Sequence, residues 1–319
     1  MIPADGPLYL DCDTGIDDAL ALAFLLGAGH PPDLVGTVSG NVGAAVAADN
    51  TRRILSLFGY SDIPVAVGLD YPPLLGHPRG ASQFHGANGI GGVTLAPVRT
   101  PPPPTAGAVD ELITLAQRHR GALHIIATGP LTNIAEALRR EPDLPDAIAS
   151  ITVMGGAAHV PGNVTPYAEA NILGDPEAAA ATFTSRWHQL LLVPIDITNK
   201  HLLSVADKRR LLYSPSAAVR SVGEMLNWYF DSYRQEHAGL WCPTHDPLAA
   251  ALAVGAVELT DAPAVTITVD TGMGPQRGRT TVRANAGSDI ESSPRVALGT
   301  RQQSADVIID AVCSLADTG

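Results

Sequence analysis

The stretch LYLDCDTGIDDALALAFLL, residues 8–26, sets the reading of the chain. A short apolar β-like run, Leu8–Leu10, leads into four aspartates: Asp11, Asp13, Asp17 and Asp18. A helix-like apolar run follows, Ala19 to Leu26, ending near Gly27 and Gly29. Gly15 permits a tight turn between the two. A strand, a turn and a buried helix in that order open an α/β unit. Ligands of an open parallel sheet gather where strands end, which is where these acids fall. The helix dipole accounts for one or two acids in the first turn. It does not account for four, because like charges this close repel unless a cation or a proton intervenes.

The alternation continues outward. LVGTVSG (34–40), IPVAVG (63–68), LHIIATGP (123–130), ITVMGG (151–156) and LLLVPIDIT (190–198) read as strands. Helical runs are expected at Ala44–Leu57, Val109–Arg118, Leu131–Arg140 and Glu177–Thr184. Residues 70–104 are rich in Gly and Pro with little periodicity, as a functional loop would be. Beyond residue 200 the pattern turns helical, with VRSVGEMLNWYFDSYRQ (219–235) and HDPLAAALAVG (245–255), and a polar strand-like tail follows (264–298). Strands alternating with helices imply a largely parallel central sheet flanked by helices, with a helical insertion in the C-terminal third. No linker divides the chain, so residues 1–319 are expected to form a single domain.

Composition narrows the function. The chain has 319 residues, 45% of them hydrophobic, and a net charge of −12 from 20 basic and 32 acidic residues. That sign repels phosphate backbones and disfavours nucleic-acid binding, while permitting a cation site. Three cysteines, Cys12, Cys242 and Cys313, lack the spacing of a disulfide framework or a zinc site. The N-terminus MIPADGP has no basic leader and no apolar run reaches membrane-spanning length, so a cytoplasmic protein is expected.

The simplest neutraliser of the acid cluster is a hard divalent cation, Ca2+ or Mg2+. An EF-hand loop counted from Asp11 would need Gly and Glu where Ile16 and Leu22 stand, so it fails. A phosphohydrolase of the haloacid-dehalogenase type, with Asp11 as nucleophile, shares the DxD opening but lacks the expected downstream Lys and paired aspartates. Solvated acids capping a helix are the plainest alternative.

The stretch DCDTGIDDALA resembles the N-terminal signature of the nucleoside hydrolases, the inosine–uridine-preferring family of N-ribohydrolases. SGNVG (39–43), ATGPLTNIA (127–135), VMGG (153–156), NVTPYAEANILGDPEAA (163–179) and THDPLA (244–249) resemble further family segments, in the expected order. The resemblance implies a Rossmann-like fold and Ca2+-dependent hydrolysis of ribonucleosides to ribose and free base. The route it implies is a metal-activated water and an oxocarbenium-like transition state. It also implies a homodimer or homotetramer.

By the same resemblance Asp13, Asp18, Asp246 and the main-chain carbonyl of Thr128 are the Ca2+ ligands, and Asp13 is also the general base. On its own, Asp246 would read as a helix N-cap and Thr128 as an ordinary strand end. His245 is the implied general acid for the leaving base, although an isolated histidine is more often structural. Asp17, Asn41, Asn163, Glu169 and Asn171 form the implied ribose-binding set, with Met154 packing under the sugar or simply in the core. Asp11 would orient its neighbours.

The base pocket would draw on Phe84 and His85, in a glycine-rich loop that could close as a lid, and on Trp228, Tyr229, Tyr233, His237 and Trp241. Aromatics at helical spacing are also ordinary core. Thr14 stands where the family often has Pro, and Ala170 where an aromatic is common. The His245–Asp246 pair points to an inosine–uridine or pyrimidine preference. A purine-specific variant and a catalytically silent nucleoside- or sugar-binding protein are the alternatives.

Overall fold

A computed structural model describes residues 1–70, 81–98, 106–234, 238, 240–285 and 293–315. Strands β1 (Leu8–Cys12), β2 (Leu34–Thr37), β3 (Val65–Val67), β4 (Leu123–Ala127), β5 (Ile148–Met154) and β6 (Leu190–Val193) alternate with helices. With a short strand late in the chain, Arg295–Val296, they make one seven-stranded sheet, and every pairing in it is parallel. Its order is Arg295–Val296, then β6, β5, β4, β1, β2 and β3. The chain runs one way from β1 to β3 and the other way from β1 through β4 to β6. The connections after β1 and β4 therefore part, and a crevice opens at their carboxyl ends.

The period of two along β1 sorts its side chains. Leu8, Leu10 and Cys12 join the core beneath the helices Ile16–Gly27, His245–Ala253 and Ala305–Cys313. Tyr9 joins the core on the other face, beneath Ala108–Arg118 and Thr132–Arg140. Every residue from Ile16 to Leu26 is buried, which is why that helix is apolar all round rather than amphipathic. It packs directly on His245–Ala253, so the two ends that carry acids lie side by side.

Several boundaries differ from the sequence reading. The first helix starts at Ile16, before the apolar run, because Asp18 accepts the Gly15 N–H and closes the first turn. The run 190–198 is not one strand. Pro194 has no N–H to give the ladder, so β6 stops at Val193 and a short helix, Ile195–Thr198, follows. The loop after β3 contains a helical turn, Ser82–His85; residues 71–80 and 99–105 of it lie outside the described residues. The tail 264–298 separates into a hairpin, Val265–Val269 with Thr280–Ala284, and the seventh strand of the sheet. Helices Val205–Leu212 and Ala217–Ser232 supply the expected C-terminal insertion.

Candidate active site

The four N-terminal aspartates are all buried, each no more than 6% exposed. They do not act alike. Asp11 lies within β1, on the Tyr9 face. Its Oδ1 accepts from the Tyr9 hydroxyl at 2.7 Å and from Asn133 Nδ2 at 2.9 Å. Asn133 also donates to the Thr37 carbonyl and accepts from the Leu69 N–H. Asp11 is thus tied beneath the crevice to the ends of β2 and β3. A carboxylate walled in this way cannot reach a substrate, which removes the reading of Asp11 as a phosphohydrolase nucleophile.

Asp13 follows β1. Its Oδ2 accepts the Asn41 backbone N–H at 2.6 Å and its Oδ1 the Asn41 side-chain amide at 3.2 Å. Asp18 accepts from Gly15 N at 2.7 Å and from the Thr128 hydroxyl at 2.7 Å. Asp17 accepts from the Tyr229 hydroxyl at 3.1 Å through Oδ2, whereas its Oδ1 is buried without a hydrogen-bond partner. Asp246 is the second residue of the helix His245–Ala253. Thr244 holds the cap position and no side chain caps the helix, so Asp246 is not the N-cap that its sequence position invites.

Oxygens of Asp17, Asp18 and Asp246 lie within 4.8 Å of one another, and Asp13 adjoins them through its interaction with Asp18. Burial, then mutual repulsion, pushes Asp18 up to about 7 and raises Asp13 and Asp246 well above the carboxylate range. Among the described residues no lysine or arginine is one of the groups that offset this. The donor set is all oxygen, crowded and uncompensated, with one orphaned buried oxygen on Asp17. It fits a hard divalent cation. The Thr128 carbonyl, at the mouth of β4, accepts from Asn171 Nδ2 at 2.7 Å and keeps a second lone pair.

Both histidines are buried. His85 Nδ1 accepts the Ile16 N–H at 3.0 Å, so its proton sits on Nε2. The same Nδ1 lies 3.6 Å from Asp17 Oδ1, but an acceptor nitrogen makes no ion pair, and burial lowers the His85 pKa. His245 Nδ1 lies 2.7 Å from the Thr198 hydroxyl and Nε2 3.1 Å from the Tyr233 hydroxyl. Desolvation lowers its pKa to about 4, leaving the ring neutral at neutral pH. Phe84, Tyr233 and Tyr229 pack beside the pair, the first two tilted and the last two edge-on, with centroids 5.3 Å and 5.1 Å apart along the series. Trp228 and Trp241 are exposed, and His237 lies outside the described residues.

The expected sugar-side residues divide. Asn171 reaches the Thr128 and Met154 carbonyls and lies 3.4 Å from the Met154 sulfur. Glu169 is committed to backbone: its carboxylate accepts from Gly156, Asn171 and Ile172 N–H groups and caps the helix Ala170–Gly174. It holds Asn171 in place. Asn163 is exposed and accepts the Ala170 N–H. Three participants escaped the sequence reading as members of the site: Tyr9, Asn133 and Thr198. Only Asn133 carried a signal, as a polar residue at the start of a helix after a strand end.

Residues 8–310 match the family described as "Inosine-uridine preferring nucleoside hydrolase". An inosine–uridine preferring nucleoside hydrolase of Leishmania major is 34% identical over 257 residues, 79% of this chain and 80% of its own. A pyrimidine-specific ribonucleoside hydrolase of Shewanella oneidensis is 37% identical, covering 77% of this chain and 76% of its own. The solved structure of a purine-preferring ribonucleoside hydrolase from Gardnerella vaginalis is 30% identical. It superposes with a TM-score of 0.87 over 97% of this chain and 98% of that one. By sequence and fold alike, the chain belongs to the inosine–uridine-preferring nucleoside hydrolase family, whose members are N-glycosyl hydrolases.

Proposed function

We propose that the protein hydrolyses the N-glycosidic bond of ribonucleosides, releasing ribose and free base, with Ca2+ held by its buried carboxylates. The carrying observation is the convergence of Asp17, Asp18 and Asp246 oxygens within 4.8 Å at the β1–β4 crevice, with Asp13 against Asp18. Asp13, Asp18, Asp246 and the Thr128 carbonyl are the assigned holders of the ion. Asp17 lies close enough to Asp18 and Asp246 to share it. When bound, such an ion neutralises the carboxylates and acidifies water.

Asp13 takes the proton of the attacking water. Two contacts from Asn41 fix its carboxylate, which leaves its remaining lone pairs with a defined direction. The unpartnered Oδ1 of Asp17 accepts from a ribose hydroxyl. Asn41, Met154, Asn163 and Asn171 line the sugar side, with Glu169 acting through Asn171. Positive charge developing on the sugar ring faces this array of carboxylates, so it is stabilised more in the transition state than in the ground state. His245 and His85 stand on the base side. As the C1′–N bond breaks, its electron pair moves onto the base, and a neutral His245 stabilises it by hydrogen-bond donation.

The His245–Asp246 pair supports an inosine–uridine or pyrimidine preference. The Phe84–Tyr233–Tyr229 aromatic series favours a second reading, stacking of a purine. A cytoplasmic location and assembly into a dimer or tetramer belong to the same proposal. Among the described residues no helix is long and apolar enough to cross a membrane.

Chromatography of inosine, uridine, cytidine, adenosine and guanosine after incubation with enzyme and Ca2+ tests the proposal. Free base and ribose should appear in equal amounts, and the ranking sets the base class. Thermal stabilisation by a nucleoside that is recovered intact would make the protein a binder instead.

A further inference from the structure

Thr198 ends the short helix Ile195–Thr198 and is fully buried. Its hydroxyl lies 2.7 Å from His245 Nδ1, and among the described residues that is its only side-chain hydrogen bond. A hydroxyl has one hydrogen to donate, and this one is shut off from bulk solvent. If Nδ1 carried the imidazole proton it would donate to the threonine oxygen, and among the described residues the threonine's own hydrogen would then have no acceptor, a costly orphan at a buried position. Full satisfaction requires Thr198 to donate and Nδ1 to accept. The imidazole proton then sits on Nε2, which faces the Tyr233 hydroxyl at 3.1 Å. Tyr233 can accept it and pass its own O–H onward, since a phenol is both donor and acceptor.

We propose that Thr198 is a positioning residue for departure of the base: its buried hydroxyl fixes His245 as the Nε2–H tautomer, which alone gives a donor chain from the ring through Tyr233. The inference rests on the reading of His245 as the group that assists the leaving base. The chain donates hydrogen bonds and gives up no proton of its own. The base leaves with the electron pair of the C1′–N bond, the water oxygen bonds to C1′, and the proton that Asp13 takes from the water balances the products. A Thr198→Val side chain has the same shape but cannot donate. The ring is then free to adopt the other tautomer, with a bare Nε2 that takes the Tyr233 hydrogen for itself and ends the donor chain.

The test compares wild type, Thr198→Val and Thr198→Ser on two leaving groups in the presence of Ca2+. One is the natural base of the preferred nucleoside. The other is 4-nitrophenolate from 4-nitrophenyl β-D-ribofuranoside, which departs without help. Thr198→Val should lower kcat for the nucleoside by about ten- to a hundredfold with KM little changed. It should leave the nitrophenyl riboside within about twofold, and Thr198→Ser should restore most of the loss. An unchanged nucleoside rate, or an equal fall on both substrates, overturns the proposal; the second outcome is that of a merely structural residue. Nitrogen-15 NMR of His245 gives an answer independent of turnover: the wild type should show protonated Nε2 and bare Nδ1, and the reverse overturns the proposal. If the wild type cleaves neither substrate, the hydrolase reading fails, and the NMR result still decides the tautomer.

Discussion

The Asn41 backbone N–H lies 2.6 Å from Oδ2 of Asp13, and the amide of the same residue lies 3.2 Å from Oδ1. One residue after β2 thus grips both oxygens of a carboxylate after β1. The grip depends on the absence of a side chain at Gly40, where a Cβ would overlap Asp13 Oδ2.

Gly15 is needed for the same reason on the other side of the cluster. Its φ of −88° is open to any residue, but a Cβ there would stand 2.6 Å from both Asn41 Nδ2 and His85 Nδ1. Gly15→Ala should cost about 1–3 kcal/mol of stability by overpacking and at least about tenfold in kcat by displacing Asp13's partner. Thermal unfolding and steady-state rates measure the two. Normal values for both would refute the close-packed geometry.

Asn133 is the clamp beneath the site. Replacing it with Ala strips partners from buried Asp11 Oδ1, the Thr37 carbonyl and the Leu69 N–H at once. The expected loss is about 3 kcal/mol, read as a lower denaturation midpoint in urea with unchanged slope. A loss under about 0.5 kcal/mol, the range of ordinary surface substitutions, would show that the network carries no weight.

Stability of the cation-free protein should fall as pH rises. Asp11 and Asp18 have folded pKa values raised by burial to about 7, whereas an exposed aspartate titrates near about 4. Between those values the folded state holds protons that the unfolded chain has released, so ionising them costs folding free energy. The chelated protein should therefore have a higher Tm at about pH 5 than at about pH 8, and added Ca2+ should raise Tm most at the higher pH. A chelated protein most stable at the higher pH would contradict the burial of these groups.

Tyr229 donates to Asp17 Oδ2, and Oδ1 is without a hydrogen-bond partner, open to the ribose contact proposed for it. Tyr229→Phe should raise KM by about three- to tenfold, the worth of one hydrogen bond, with a smaller change in kcat. Nucleoside titration of initial rates checks this; an unchanged KM would detach Tyr229 from the sugar site.

Much of this was legible in the chain. Alternating strand and helix periods carry the parallel sheet, and the crowding of Asp11, Asp13, Asp17 and Asp18 marks the crevice. The first-turn placement of Asp17 and Asp18 follows from Gly15 and the apolar run behind them. What the pattern cannot express is partnership across the fold. Asp11 and Asp13 look equivalent two residues apart, yet Asp11 sits on the Tyr9 face with Asn133 while Asp13 lies beyond the strand end. Glu169 reads in the sequence as a sugar-side acid, and nothing in the pattern shows that its carboxylate also accepts three backbone N–H groups. Thr198 was hidden because residues 190–198 read as one strand, and only the break at Pro194 turns its hydroxyl towards His245.

In the proposed function Asp13, with a cation beside it, drives ribose release. The direct measurement is reducing-sugar formation from the nucleoside panel by wild type and Asp13→Ala, each chelated and then assayed with and without Ca2+. Ribose should form only in the wild type with Ca2+, with Asp13→Ala reduced at least about a hundredfold while remaining folded by circular dichroism. Ribose release by folded Asp13→Ala at the wild-type rate would remove Asp13 as the base, and none from any nucleoside by folded, Ca2+-loaded wild type would remove the hydrolase activity itself.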